Sequence, residues 1–213
     1  MWTRLRHGAA VHQTATTTFE DRYPDLFEAL AEQLPDNAAI LSFGCSTGEE
    51  LLSLRRWMPM ARLTGVEINP RARRLAQART ADDPLIDVVG RLPAGPFDAV
   101  LALAVLQREP SRIVADEVVD LGRVYPFARF EDTLTRLVAR LRSGGLLAVR
   151  HAHYRVEDSA VAPQLIAVSG IASLDPPLFD HTSRRYDAAP PSASLFVKGA
   201  ARCAAMAAPS SNR

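Results

Sequence analysis

Apolar residues recur along this chain in two rhythms, one helical and one extended. Leu26, Phe27, Leu30, Ala31 and Leu34 return at helical spacing, which predicts an amphipathic helix with one stripe against a sheet or over a pocket. Thr17 and Glu20 have the spacing of a capping box, so that helix is expected to start there. Ile40-Leu41-Ser42-Phe43 is a short, largely apolar run ending at Gly44, as expected of a buried strand leaving into a turn. Leu63-Thr64-Gly65-Val66-Glu67 reads as a second strand, and Asn69-Pro70 caps and opens a helix after it. Pro96 to Leu106 is apolar almost throughout, as a centrally buried parallel strand should be.

The small-residue turn between the first strand and its helix carries the chemistry. Gly44 to Gly48 fits a turn needing positive φ and close backbone approach, and the helix is expected to begin near Thr47. Its first-turn N–H groups favour an anionic group over the turn, with Gly48 allowing close approach. Glu67 follows at a distance of about twenty residues, where an acid can accept two hydrogen bonds from a ribose diol. The unit therefore reads as a nucleoside pocket. A dinucleotide fingerprint is a poor match, because Gly44-Cys45-Ser46-Thr47-Gly48 lacks glycine at its second and third positions.

The same residues resemble the class I S-adenosylmethionine-dependent methyltransferases, with Ser42 in place of the first motif's acid and Ser46 in place of its middle glycine. Cys45-Ser46-Thr47-Gly48-Glu49-Glu50 is most similar to the loop of chemotaxis receptor methyltransferases. The chain continues Leu51-Leu52-Ser53-Leu54 instead of that family's Pro-Tyr-Ser, so only the cofactor loop is carried over and not the receptor substrate. Later segments resemble the superfamily in order: Pro96 to Leu106 the fourth strand and the Ala-Val-Leu that follows it, Leu137 to Val149 a helix, glycine turn and fifth strand, and Ser192 to Lys198 a last, antiparallel strand.

The resemblance implies an α/β, doubly wound, Rossmann-like fold with a seven-stranded, mostly parallel sheet and helices on both faces. It implies S-adenosylmethionine as cofactor, held by Phe43, Gly44, Cys45, Ser46, Thr47, Gly48 and Glu49, by Glu67, Ile68 and Asn69, by Gly90 and Arg91, and by Ala102, Leu103 and Ala104. Arg91 stands where the superfamily usually has an acid on the adenine amino group, so that contact falls to Gly90 backbone or to a group elsewhere. Residues 1–36 are expected to form an N-terminal segment and a helix covering the pocket, 37–199 the methyltransferase domain, and 200–213 a mobile tail rich in Ala and Ser.

Composition narrows the class. A chain of 213 residues, 47% hydrophobic, suffices for a single core. Its 25 basic and 24 acidic residues leave no electrostatic footprint for nucleic acid, and no apolar run approaches membrane-spanning length. The N-terminus lacks the apolar core of a secretory signal, so a cytoplasmic protein is expected. Cys45 and Cys203 offer neither a disulfide framework nor a metal quartet. A small-molecule acceptor is favoured, with no nucleic-acid or membrane partner and the oligomeric state open.

Methyl transfer needs alignment more than any fixed catalytic group, and a base only when the acceptor has a proton to lose. The usual histidine after the fourth strand is replaced by Gln107-Arg108-Glu109, which makes Glu109 one candidate base. His151 and His153 alternate at the fifth-strand exit and would face the same side at the pocket mouth if the strand persists. Two histidines with Asp158 lack a third ligand at recognised spacing, so no metal site is expected. The insertion Pro110 to Phe130 offers Tyr125, Phe127 and Arg129, with Tyr154 nearby, as walls for a planar or acidic acceptor; the same residues would equally serve as a lid. A catalytically silent cofactor-binding protein and a protein or RNA methyltransferase remain alternatives.

Overall fold

A computed structural model of the chain describes residues 20–173 and 178–199. In chain order its elements are α1 (Pro24–Gln33), β1 (Ala39–Phe43), α2 (Glu49–Trp57), β2 (Arg62–Val66), α3 (Pro70–Arg79), β3 (Ile86–Val89), β4 (Phe97–Leu103), α4 (Pro110–Ala115), α5 (Phe127–Val138), β5 (Leu141–Arg150), β6 (Leu165–Ala167) and β7 (Leu195–Lys198). The strands form one seven-stranded sheet in the order β3-β2-β1-β4-β5-β7-β6. The first five pair in parallel, and β7 runs antiparallel to both β5 and β6. This is the doubly wound, seven-stranded sheet that the sequence predicts. Its strand order reverses direction between β1 and β4, the crevice where such folds hold ligands.

Each face of the sheet has its own core. Leu26, Phe27 and Leu30 of α1 join Leu51 and Leu54 of α2, Ala76 of α3 and the sheet residues Ile40, Leu63 and Leu101. On the other face Phe130, Leu134 and Leu137 of α5 pack with Leu41, Val100 and Leu147, and with Tyr125, Tyr154 and Phe179. β4 is buried at nearly every position, because helices cover both its faces.

Several boundaries differ from the sequence reading. Thr17 of the expected capping box lies outside the described residues, as do 1–19 and the tail from 200, and α1 begins at Pro24, where proline's fixed φ suits the first helical position. β4 ends at Leu103, and Ala104, with a left-handed φ of 54°, turns the following Ala-Val-Leu out of the sheet. The glycines at 144 and 145 do not separate helix from strand: β5 already starts at Leu141, and its register with β4 jumps from Phe97↔Leu141 to Ala99↔Leu146. The extra residues form a bulge whose Gly144 takes a φ of 76° and whose Arg142 pairs with Asp98 at 2.5 Å. The last strand starts at Leu195, three residues later than expected. The insertion after β4 is not a plain loop, since it contains α4 and the start of α5.

One buried cation joins α1 to the end of the sheet. The Arg150 side chain, 1% exposed at the last position of β5, donates to both carboxylate oxygens of Asp25 at 2.9 and 2.8 Å and through Nε to Ser194 Oγ at 3.2 Å. Its guanidinium also lies 5.6 Å from the centroid of the Tyr23 ring. The hydrogen bonds from Arg150 hold the Asp25 carboxyl below the usual carboxylate range. A depressed acid favours the folded state above its ordinary pKa, and that contribution is lost as pH falls through the depressed value. Asp25→Asn is therefore expected to lower stability at neutral pH by about 1.5–3 kcal/mol, towards the low end because Asp25 is half exposed. Chemical denaturation across the acid range should show the variant's stability falling less steeply than the parent's.

Candidate active site

The turn after β1 stays tied to β2 as it leaves the sheet. Gly44 N and Cys45 N both donate to Val66 O, at 2.8 and 3.2 Å, and Gly48 N closes the turn on Cys45 O at 3.0 Å. Three residues of this turn, Gly44, Ser46 and Gly48, have positive φ (84°, 50° and 97°). Glycine at 44 is required twice over, by its φ and because a Cβ there would meet Val105 Cγ2 at 2.5 Å. Gly48 has a different neighbour from the one its sequence suggests: a Cβ would lie 3.2 Å from Ala76 Cα of α3. Helix packing, and not ligand approach, fills that space, and α2 starts at Glu49 with Gly48 as its N-cap.

Glu67, immediately after β2, bridges two turns with one carboxylate. Oε2 accepts from Ser46 N at 3.0 Å and Oε1 from Asn69 N at 2.6 Å. Its backbone is fixed as well, Glu67 N donating to Val89 O at 3.0 Å and Arg73 Nη1 donating to Glu67 O at 3.0 Å. Burial raises the carboxyl's pKa, against the two backbone N–H groups that favour its ionised form. Each carboxylate oxygen accepts at two sites, so both oxygens keep one site for the hydroxyls of a diol. Asn69 meanwhile caps α3, its Oδ1 accepting from Arg71 N at 3.0 Å, with Ile68 between the two half-buried.

Two further carboxylates flank the turn. Glu49 receives a hydrogen bond from Thr47 Oγ1 at 2.7 Å and pairs with Arg79 of α3. Burial works to raise its pKa, but Thr47, its own backbone N–H and Arg79 together hold it low. Glu50 turns inward, where Ser42 Oγ donates to its Oε1 at 2.7 Å. Burial pushes the Glu50 carboxyl up to about 7, with the Ser42 hydrogen bond and the charge of Arg22 opposing. Burial first, and then the charges of Glu67, Glu50 and Glu49, raise the Cys45 thiol, so it stays protonated in the core and offers the site only its backbone.

Glu50 is the residue that sequence reading undervalued. Ser42 occupies the place of an acid in the superfamily's first motif, and Glu50, eight residues on, brings a carboxyl back to it. The absent acid at position 42 was the available signal. A group of acidic side chains around this turn suits a ligand carrying a ribose diol and positive charge, as S-adenosylmethionine does.

The β4 and β5 exits close the other side. Ala104 N donates to Arg150 O at 2.9 Å, Gln107 Nε2 donates to Ala104 O at 3.1 Å, and Val105 lies on Gly44. Ala102 and Leu103 remain inside the strand, fully or nearly buried. Non-glycine residues with left-handed φ stand at the exits of three adjacent strands: Ser46 after β1, Ala104 after β4 and His151 (φ 53°) after β5. Such conformations cost energy and persist only where the surroundings impose them, often at working sites. On the far side of β2, Gly90 lies under the Arg73 guanidinium, a Cβ there falling 2.6 Å from Arg73 Nη1, and Arg91 is exposed.

The acceptor side departs from the sequence reading. β5 stops at Arg150, so His151 and His153 do not alternate along a strand. His151 is half-buried with its ring 5.6 Å from that of Tyr23. His153 is 3% exposed and away from any mouth, its Nε2 2.9 Å from Arg108 O, and burial lowers its pKa. Tyr125 is buried in the second core and Phe127 packs half-buried against it, while Tyr154, also buried there, lines the cleft by the β5 exit. The Tyr154 hydroxyl donates to Tyr125 O and lies 3.1 Å from Ser183 Oγ, and burial pushes its pKa up to about 12. Arg129 covers the Tyr125 ring at 5.4 Å. Glu109 precedes α4 with a φ of 43° and lies 3.5 Å from Arg112. A small cleft opens beside the β5 exit, lined by His151, Ala152, Val156, Ser173, Ser192 and Ala193 among others. Among the described residues no three His, Cys, Asp or Glu side chains gather as a metal site, and no helix is long and apolar enough to cross a membrane.

Comparison with known proteins supplies the class. Residues 15–165 match the methyltransferase-domain family, and the chain belongs to it. The match agrees with the S-adenosylmethionine-dependent methyltransferase class that the cofactor loop resembles. A search of the curated proteins finds no match. Among solved structures, the fold is similar to a protein from Clostridium thermocellum described as a candidate rRNA-methylase (11% identity, TM-score 0.52, covering 86% of this chain and 99% of that one). It is also similar to the sugar N-methyltransferase KedS8 from Streptoalloteichus sp ATCC 53650 (20% identity, TM-score 0.41, covering 59% and 45%). A third likeness is CalS10, an amino pentose methyltransferase from Micromonospora echinaspora (22% identity, TM-score 0.43, covering 62% and 50%). The matched regions span half or less of these two sugar methyltransferases.

Glu50 gives the site a stability signature. An acid whose pKa is raised on folding favours the folded state below its ordinary value, 4.5, and that contribution is lost as pH rises through about 7. Glu50→Gln keeps the acceptor for Ser42 and cannot ionise. It is expected to be more stable than the parent at about pH 8, by an amount on the order of 2–3 kcal/mol, with the gap closing by about pH 5. Thermal unfolding of both proteins at the two pH values checks this.

Proposed function

We propose that this chain transfers the methyl group of S-adenosylmethionine to a small-molecule acceptor. The observation that carries the reading is Glu67, a carboxylate held between the β1 and β2 exit turns by Ser46 N and Asn69 N at the sheet's switch point. In this reading Glu67 binds the ribose diol, the 44–48 turn supports the nucleoside, and Glu49 and Glu50 favour the cofactor's positive charge. When bound, the cofactor supplies a methyl group on a sulfonium, which needs an aligned acceptor above all. The acidic surroundings would orient that cation, and Val105 packs against Gly44 at the edge of the turn.

The acceptor approaches, in this reading, from the β5 exit, where the cleft has room for about one water and must widen to admit it. Charges around it are met within the protein: Arg150 by Asp25, and Glu157 by Ser192 Oγ at 3.0 Å and Ala193 N at 2.9 Å. That balance supports an uncharged, moderately polar acceptor over the acidic one suggested by Arg129. His151, at the cleft, and Glu109, at the β4 exit, are the groups we propose for receiving a proton where the acceptor has one to lose.

Calorimetric titration with S-adenosylhomocysteine, against NADH as a control ligand, tests the assignment. Micromolar binding of the former and none of the latter is expected. Glu67→Ala should weaken it by about 2–3 kcal/mol, the loss of two charge-assisted hydrogen bonds after competition with water. Unchanged affinity in a folded Glu67→Ala protein, or a preference for NADH, would refute the pocket.

A further inference from the structure

The segment from Ala104 to Glu109 lies between the cofactor turn and the acceptor side, and it is held in an unfavourable shape. Ala104 and Glu109, at its two ends, are non-glycine residues with φ of 54° and 43°. Val105 rests on Gly44, and Gln107, 7% exposed, bonds back to Ala104 O at 3.1 Å. A backbone of this kind holds only where its neighbours over-determine it.

His153 is the neighbour that does so. Its backbone N–H donates to Leu106 O at 3.3 Å and its imidazole Nε2 lies 2.9 Å from Arg108 O, so one residue grips the segment at two carbonyls, two positions apart. It is anchored in turn by Phe179 N, which donates to His153 O at 3.1 Å. The ring is wedged edge-on between those of Tyr125 and Phe179, with centroids 6.1 and 5.8 Å away. A carbonyl can only accept, so Nε2 carries the proton, and a neutral imidazole with Nε2–H satisfies the contact.

Resting on the methyl-transfer reading above, we infer that His153 is a positioning residue: it clamps the 104–109 segment, seats Val105 against the cofactor turn, and takes no proton from the acceptor. This goes beyond assigning the pocket, because it gives the histidine first read as a base a mechanical task and locates the coupling between the cofactor and acceptor sides in one loop.

The test compares His153→Phe, which keeps an aromatic ring and loses the Arg108 contact, with His153→Gln, whose amide Nε2 donates to the same carbonyl. Amide hydrogen exchange is measured on all three proteins, with and without S-adenosylhomocysteine, alongside calorimetric titration of that ligand. In His153→Phe, exchange of residues 104–109 should quicken and ligand affinity fall, each by about tenfold, the factor that one ordinary hydrogen bond supplies. His153→Gln should recover most of both. Unchanged exchange in 104–109, or a rise spread evenly over the chain, would overturn the inference. Should His153→Phe not fold, nitrogen NMR of the parent's imidazole decides: a proton fixed on Nε2 across the neutral range supports the clamp, and an ordinarily titrating or Nδ1–H imidazole overturns it. If the parent fails to bind S-adenosylhomocysteine, the proposed function falls, while ligand-free exchange and NMR still judge the clamp.

Discussion

The site depends on one carboxylate shared between two turns. The chain leaves β1 and β2 in parallel and must reverse twice to start α2 and α3, and at each reversal backbone N–H groups lose their sheet partners. Glu67 accepts one from each turn, Ser46 N and Asn69 N, and so fixes the turns relative to one another without a covalent link. Ionised, it is best held by those N–H groups; buried, it is penalised for its charge, and the raised pKa shows that burial prevails. A carboxylate kept in that balance gains from further donors, and the ribose hydroxyls of the cofactor are donors of the right kind.

A second polar anchor serves the opposite end of the crevice. Arg150 is almost completely buried where β5 ends, and Asp25 and Ser194 bring α1 and the start of β7 to it. The planar guanidinium meets the carboxylate in two parallel bonds, which sets angle as well as distance. The chain turns abruptly at the next residue, His151, so its placement beside Tyr23 follows from the bond that locates α1. Between the two anchors the 104–109 segment touches both, through Val105 on Gly44 and Ala104 N on Arg150 O. Cofactor turn, β4 exit and β5 exit are thus mechanically continuous.

What the sequence made legible is what depends on spacing within a short stretch. The apolar runs ending in Gly44 and Glu67 marked two strands and their acid, because a parallel strand buried on both faces leaves a continuous signal. The acceptor side was less readable because it depends on distant contacts. Tyr125 has the composition of a binding wall, yet it is buried in the second core with Phe130 and Phe179, and a covered aromatic looks the same in sequence as an exposed one. His151 and His153 would share a face in a strand, and a single left-handed residue breaks that alternation. Gly48 shows a subtler limit: its conformation was legible, but the neighbour that requires its missing side chain is Ala76, 28 positions away in the chain (76 minus 48).

The exchange of Ser42 and Glu50 shows how a motif can lose a residue and keep the interaction. An acid on β1 would place its carboxyl beneath the turn directly; here Ser42 supplies a hydroxyl and Glu50 reaches down from the first turn of α2. The substitution is not neutral. A strand acid is fixed by the sheet, whereas Glu50 is fixed by a helix whose N-cap, Gly48, is itself packed on α3. The helix start is favourable for negative charge, but burial outweighs that and raises the carboxyl to about 7. The turn therefore carries a proton that comes and goes in the neutral range, next to a pocket suited to a cation. In the proposed reading a positively charged ligand favours the ionised form of Glu50, so titration of S-adenosylmethionine affinity against pH is expected to show tighter binding at about pH 8 than at about pH 6, because burial has raised this carboxyl into that range.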